Sequence, residues 1–286
     1  MASPHLVETD WLASRLDAPD LVILDGSWHL PTAKRDPRAE YAAEHIPGAL
    51  FFDIDDLSEK NTNLPHMLPS TVAFASRMKK MGIGDGTRVV VYDAAGMFSA
   101  ARVWWTLRIM GHEDVVVLNG GLPKWKAEGR PVTSEATPAR SERHFTPRFN
   151  AGMVRDLADM KRLVAEGTTQ VADARGPGRF SGAEAEPRQG LRSGHMPGAR
   201  NVHYAQLINA DGTFKSPDVL REVFAKAGVD PSKPVVTTCG SGVTASIVSL
   251  ALAIIGQPDA PVYDGSWSEW GQEGIGTEVA TGTNRS

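Results

Sequence analysis

The chain has 286 residues, 41% hydrophobic and 22% charged, with 30 Lys and Arg against 34 Asp and Glu and a formal net charge of −4. That length suits two ordinary domains with real cores, and the composition is that of a globular protein. No basic block offers a nucleic-acid footprint, and the longest apolar run, Ile247 to Ile255, is too short for a bilayer, so neither nucleic acid nor membrane is an expected partner.

In chain order, MASPHLVETDWLASRLDAPD lacks a basic start followed by an apolar core, so no signal peptide is read there. Its second half, DWLASRLDAPD, is helical in pattern, and LVILD (21–25) is a short buried strand. HIPGA (45–49) leads into another strand. TVAFASRMKKMGI is a helix closed by Gly82 and Gly84. RVVVYD is a strand, SAARVWWTLRIMG a helix and DVVVLNGG a strand. Continuous apolar strands alternating with helices predict a mainly parallel sheet with helices on both faces.

The pattern is then written again. AEHIPGALFF (43–52) resembles RSGHMPGARNV (192–202), and the stretch 88–125 resembles 234–270. His45 and His195 are 150 positions apart, Trp125 and Trp270 145. Such long, nearly constant offsets predict one domain duplicated rather than a solenoid. The polar, Pro-bearing stretch between the copies is read as a linker. The expected organisation is a domain over 1–137, a linker over 138–152 and a second domain over 153–286.

The only cysteine, Cys239, ends the second copy's VVTT strand, where Asp93 stands in the first. Sites in such sheets form beyond the C-terminal strand ends. CGSGVT follows, with Gly240 and Gly242 allowing a tight turn into a helix. The loop amides can then converge on one point near a helix N-terminus, an arrangement that favours a thiolate or a persulfide. Ser241 and Thr244 add hydroxyl donors. The bland alternative is a buried Cys acting as a small hydrophobe. A thiol-dependent phosphatase would need Arg six residues on, where Ala245 stands. One Cys forbids an internal disulfide and fits a reducing compartment, the cytoplasm.

His45 and His195 each sit in an H-x-P-G-A turn and are read as structural, and scattered His with one Cys makes no zinc ligand set. NGG (119–121) and DGS (264–266) are turns without a nucleotide-binding pattern, so no cofactor is expected. Asp25 and Asp173 read as turn-forming carboxylates, and Trp104, Trp105, Trp125, Trp267 and Trp270 as packing. The ending GTEVATGTNRS reads as a flexible tail.

YAAEHIPGALFF (41–52) and APVYDGSWSEW (260–270) resemble the N- and C-terminal signatures of the rhodanese superfamily. CGSGVT resembles the active-site loop of its 3-mercaptopyruvate sulfurtransferases. The similarity covers nearly the whole chain and implies two tandem rhodanese-like α/β domains, the first silent at its loop. It also implies sulfur transfer from 3-mercaptopyruvate through a Cys239 persulfide to cyanide, a small thiol or a thioredoxin-like protein, with release of pyruvate. The loop residues Gly240, Ser241, Gly242, Val243 and Thr244 are carried over as substrate-binding. So are Arg179 and Arg188, for the substrate carboxylate and carbonyl. An Asp–His–Ser relay proposed for the family falls on Asp55, His66 and Ser241. The alternatives are a thiosulfate sulfurtransferase, disfavoured by the uncharged Gly240 and Ser241, and a persulfide carrier that binds a partner without turnover.

Overall fold

The computed structural model of the chain describes residues 3–283. Two sets of strands form two five-stranded sheets with one topology. The first has β1 (Leu6–Val7), β2 (Leu21–Asp25), β3 (Ala49–Phe51), β4 (Arg88–Tyr92) and β5 (Val115–Leu118), in the order β1-β5-β4-β2-β3. The second has β6 (Val154–Arg155), β7 (Gln170–Asp173), β8 (Arg200–Asn201), β9 (Val235–Thr238) and β10 (Val262–Tyr263), in the order β6-β10-β9-β7-β8. All pairings are parallel. Every residue of β2, β5 and β9 is buried. Successive strand side chains point to opposite faces, so both faces of each sheet are covered. The five tryptophans read as packing are all buried.

The chain divides into two compact units. Unit 1 runs to Lys60, resumes over Leu68–Asn150 and includes Asn209–Phe214. Unit 2 comprises Asn61–Met67, Ala151–Ile208 and the chain from Lys215. The stretch 138–150 is therefore packed within unit 1. The amides of Arg148 and Asn150 donate to the carbonyls of Met110 and Ile109 at 2.9 and 2.7 Å, and buried Phe145 meets the rings of Phe74 and His112. Its polar side chains face outward while its backbone is bonded, which a reading of side chains does not detect.

The final segment also departs from expectation. Arg192 Nη1 donates to the Thr277 carbonyl at 2.8 Å and Trp270 Nε1 to the Glu278 carbonyl at 2.8 Å. His195 and Ala280 exchange backbone hydrogen bonds. Residues 277–280 are thus held by main-chain bonds that their side chains do not advertise; Asn284, Arg285 and Ser286 of the same stretch lie outside the described residues. The two turn histidines match across the copies. His45 Nδ1 lies 2.7 Å from the Tyr41 carbonyl, and His195 Nδ1 lies 2.8 Å from the Phe180 carbonyl, each ring stacked on the aromatic side chain of that residue.

Unit 1 shows what the turn after the central strand is built to hold. Beyond β4, Asp93 is buried, and its carboxylate accepts four backbone amides: Ala95 on Oδ1 at 2.9 Å, and Phe98, Ser99 and Ala100 on Oδ2 at 2.8, 2.9 and 2.8 Å. The last of these opens the helix Ala100–Ile109, whose first N–H groups have no partner within the helix. The turn is an anion cradle, filled here by the chain's own carboxylate. Asp25 ends the neighbouring strand, and burial pushes its pKa up to about 6 against hydrogen bonds from Ser27 and Tyr92.

Two expectations follow for this unit. Hydrogen bonds to a charged group contribute about 1.5–3 kcal/mol each, so Asp93→Ala should lower the unfolding free energy by about 3 kcal/mol or more. Formate should raise the melting temperature of that variant and not of the parent; an equal response of both in thermal scans at constant ionic strength would count against the cradle. Asp25 binds its proton more tightly folded than unfolded, so its contribution is fully present below about pH 4 and is lost as pH rises through about 6. Asp25→Asn should therefore gain stability relative to the parent between pH 4 and 7, by at most about 3 kcal/mol. Urea titrations at both pH values check it.

Candidate active site

In unit 2 the equivalent turn follows β9. Cys239 is buried, its amide donating to Ser266 Oγ at 3.3 Å and its carbonyl accepting from the Trp267 amide at 2.9 Å. The Gly240 carbonyl accepts from the Ser268 amide at 2.8 Å and from Ser268 Oγ at 2.6 Å. Among the described residues no peptide is cis, so the Gly240 and Ser241 N–H groups point away from the helix Ser266–Trp270 that holds these carbonyls. Gly242 takes a φ of +80°, as Gly96 takes +100° at the matching place. The Gly242 carbonyl accepts from Ser246 Oγ at 3.0 Å, and the chain then enters the helix Ala245–Ile254. Counting from the strand ends, Ser241, Thr244 and Ala245 match Ala95, Phe98 and Ser99, whose amides hold Asp93 in unit 1.

Both predicted arginines reach this turn. Arg179 rides on the short helix Pro177–Ser181, and Arg188 on the irregular stretch after it. A Cβ placed on Gly240 would lie 3.0 Å from Arg179 Nη2 and 3.7 Å from Arg188 Nη1. Glycine at 240 thus spares the Arg179 guanidinium a tight contact, while Arg188 lies at ordinary van der Waals distance. Arg188 Nη2 also donates to Ser241 Oγ at 3.4 Å. His195, through the Phe180 carbonyl, supports the helix that carries Arg179.

Of the predicted relay, His66 and Ser241 come together within unit 2, with His66 Nδ1 2.9 Å from Ser241 Oγ and 3.4 Å from the Ser241 carbonyl. His66 is buried with a φ of +62°, an uncommon backbone for a non-glycine residue. Asp55 belongs to unit 1, where its Oδ2 accepts from Trp28 Nε1 at 3.0 Å and its carbonyl from Lys60 Nζ at 2.8 Å.

Four participants escaped the sequence reading. Ser266 and Ser268 hold the backbone of Cys239 and Gly240 from behind, and their only signal was position in a turn already assigned to the fold. Arg175 and Glu186 support the arginine pair. Arg175 grips Asp173 through Nε and Nη2, the latter at 2.6 Å, and lies 4.2 Å over the Trp267 ring. Its Nη1 donates to Glu186 Oε1 at 2.7 Å, while Glu186 Oε2 takes Arg179 Nη2 at 2.5 Å. Burial works against the Arg175 charge, yet Asp173 and then Glu186 outweigh it and hold its pKa above the ordinary arginine value. Asp173 does form the expected turn, accepting the Arg175 amide at 3.0 Å.

Comparison with known proteins adds three findings. The model of the rhodanese-like domain matches residues 8–128 and again residues 156–273. The chain is 43% identical to human 3-mercaptopyruvate sulfurtransferase over 94% of both chains. It is 42% identical to Arabidopsis thaliana thiosulfate/3-mercaptopyruvate sulfurtransferase 1 over 94% of this chain and 76% of that protein. Its fold superposes on the crystal structure of SseA from Escherichia coli, reported for the rhodanese fold of 3-mercaptopyruvate sulfotransferases, with a TM-score of 0.84 and 41% identity over 92% of this chain and 99% of that one. With two matched copies, two sheets of one topology and relatives of this similarity over nearly its full length, the chain belongs to the rhodanese family as a tandem of two rhodanese-like domains.

Proposed function

We propose that the chain is a sulfurtransferase that takes sulfur from 3-mercaptopyruvate onto Cys239. The observation that carries this reading is the convergence of Arg179 and Arg188 on Gly240, the residue next to the thiol. Two guanidinium groups beside a nucleophilic cysteine suit a donor that carries a carboxylate.

In the first half-reaction the Cys239 thiolate attacks the donor sulfur and forms an S–S bond. The carbon–sulfur bond breaks, its electron pair leaves as the enolate of pyruvate, and a proton completes pyruvate. Cys239 is left as a persulfide anion held by the amides of Ser241, Thr244 and Ala245, as the Asp93 carboxylate is held in unit 1. In the second half-reaction a thiolate or cyanide takes the outer sulfur, and the thiolate of Cys239 returns. Arginine carries no acceptor, so Ser241 Oγ accepts from Arg188 and keeps its own proton for His66 Nδ1. That pair handles the proton of the enolate. The acceptor is a small thiol or a thioredoxin-like protein. The single cysteine suits a reducing compartment, the cytoplasm; among the described residues no helix is long and apolar enough to cross a membrane.

Thiosulfate is the second donor to weigh, because the Arabidopsis relative carries both donors in its name. A passive persulfide carrier is disfavoured, since a carrier has no use for two arginines at its loop.

The deciding experiment is kcat/KM for 3-mercaptopyruvate against thiosulfate, each with cyanide as acceptor. A preference of at least about tenfold for mercaptopyruvate is expected. The reverse preference would keep the nucleophile and overturn the donor. Cys239→Ser should retain the fold by circular dichroism and abolish turnover with both donors. Arg188→Ala should raise KM for mercaptopyruvate by about tenfold or more with kcat within a few fold. Unchanged kinetics would place the carboxylate elsewhere.

A further inference from the structure

We infer that Glu186 selects the sulfur donor, by fixing Arg179 in place and cancelling its charge; the donor chemistry rests on the sulfurtransferase reading, the geometry does not. The stretch around Glu186 is irregular, and Ala185 and Pro187 beside it are exposed. Yet the Glu186 side chain is only 1% exposed. It turns inward between two arginines and is the acidic group that both share.

Its carboxylate takes the Nε and Nη2 of Arg179 at 3.3 and 2.5 Å. A carboxylate on that edge fixes the guanidinium plane and leaves the Nη1 edge for another anion. Nη2 is also the atom nearest to the space above Gly240. Behind Glu186, Arg175 is anchored by Asp173 and by the Gly194 carbonyl at 2.9 Å. Arg179 is therefore set by a chain of buried contacts that begins at the end of β7. Because Arg188 follows Glu186 by two residues, the same anchor restrains both arginines.

The charges pair off as well. Asp173 balances Arg175 and Glu186 balances Arg179, so four buried or half-buried ions sum to zero beside the loop. Arg188 stands outside this balance, so the clamp keeps one net positive charge, which fits the single carboxylate of mercaptopyruvate. Removing the Glu186 charge leaves a surplus positive charge that favours dianionic thiosulfate. Glu186 thus acts as a positioning and specificity residue that does not touch the donor.

The test is E186Q, measured with both donors and by alkylation of Cys239 with anionic iodoacetate against neutral iodoacetamide. E186Q should raise KM for mercaptopyruvate and lower the ratio of kcat/KM for mercaptopyruvate over thiosulfate at least fivefold. The iodoacetate-to-iodoacetamide rate ratio should rise at least threefold. E186D keeps the charge and shortens the arm, and should hold both ratios within twofold of the parent. In an R179A background, E186Q should leave the donor ratio unchanged. An equal loss for both donors with an unmoved alkylation ratio would reduce Glu186 to a structural role and overturn the inference. If E186Q does not fold, R179Q tests the same pair from its other side and should lower the alkylation ratio; a ratio equal to the parent's would overturn the inference. The alkylation arm needs no sulfur donor. A parent that turns over neither donor would therefore sink the sulfurtransferase reading, while the alkylation ratios still decide the role of Glu186.

Discussion

The structure of each unit depends on one constraint: a turn that points several backbone amides inward must give them an acceptor, and an anion suits several converging N–H groups best. Buried N–H groups left without an acceptor are costly, and a helix start already presents N–H groups that the helix cannot use. Unit 1 meets the constraint with Asp93, which takes four amides. Unit 2 has the same turn with a cysteine at its head, and in the proposed reaction the matching amides take a negatively charged sulfur. On this view the silent copy is the same site with its ligand built in. The loop carbonyls explain why the amides stay turned inward, since Trp267 and Ser268 hold the carbonyls of Cys239 and Gly240 on the opposite side.

The second organising element is the ion array Asp173–Arg175–Glu186–Arg179. Burying charges carries a desolvation penalty that their mutual attraction offsets only with good geometry, and apolar packing would often stabilise as much or more. Its value here lies in position. Arg175 makes bonds to Asp173, Glu186 and Gly194 and stacks over Trp267, so its guanidinium is fixed from several sides. That rigidity passes to Arg179 through one carboxylate. Arginines carried on a short helix and an irregular stretch would otherwise move with them, and in the donor-binding role proposed for them small misplacements are expensive in rate.

Much of this was legible in the sequence, for identifiable reasons. Strands such as LVILD and VVTT are continuous apolar runs bounded by turn residues, so their limits are sharp, and duplication let each copy check the other. Cys239, Gly240 and Gly242 were visible because a lone thiol between a strand and two glycines is an uncommon arrangement. Arg179 and Arg188 became visible only through family resemblance, since loop arginines are ordinarily solvated. Glu186 and Arg175 were not legible at all. A charged residue in a Gly- and Pro-bearing stretch gives no sign that its side chain turns inward. The stretches 138–150 and 277–280 were misjudged for the opposite reason: polar side chains suggested freedom where the backbone is bonded. Sequence pattern reports which side chains seek the core, not where main-chain groups find partners.

The two copies also differ in what stands beside the turn. Asp25 and Asp173 occupy the same place: their carbonyls accept the Phe52 and Val202 amides, and the next residues, Gly26 and Ala174, donate to the carbonyls of Tyr92 and Thr238. Two residues on, unit 2 has Arg175 and unit 1 has Ser27. Ser27 Oγ accepts the Ala94 amide at 2.8 Å, a neutral local bond in place of an ion pair. Asp25 is buried without an ion-pair partner at that position, and burial first, with the nearby Asp93 a lesser cause, raises its pKa. An aspartate in the cradle and an arginine opposite the strand end thus belong to different solutions. In unit 1, where the cradle is filled by the chain itself, a serine satisfies the backbone at this position, and the nearby Arg35 is paired with Glu40. In unit 2, where a cysteine heads the turn, Arg175 ties Asp173 to Glu186 and Glu186 holds Arg179, so the arginines beside the loop are ordered by buried carboxylates.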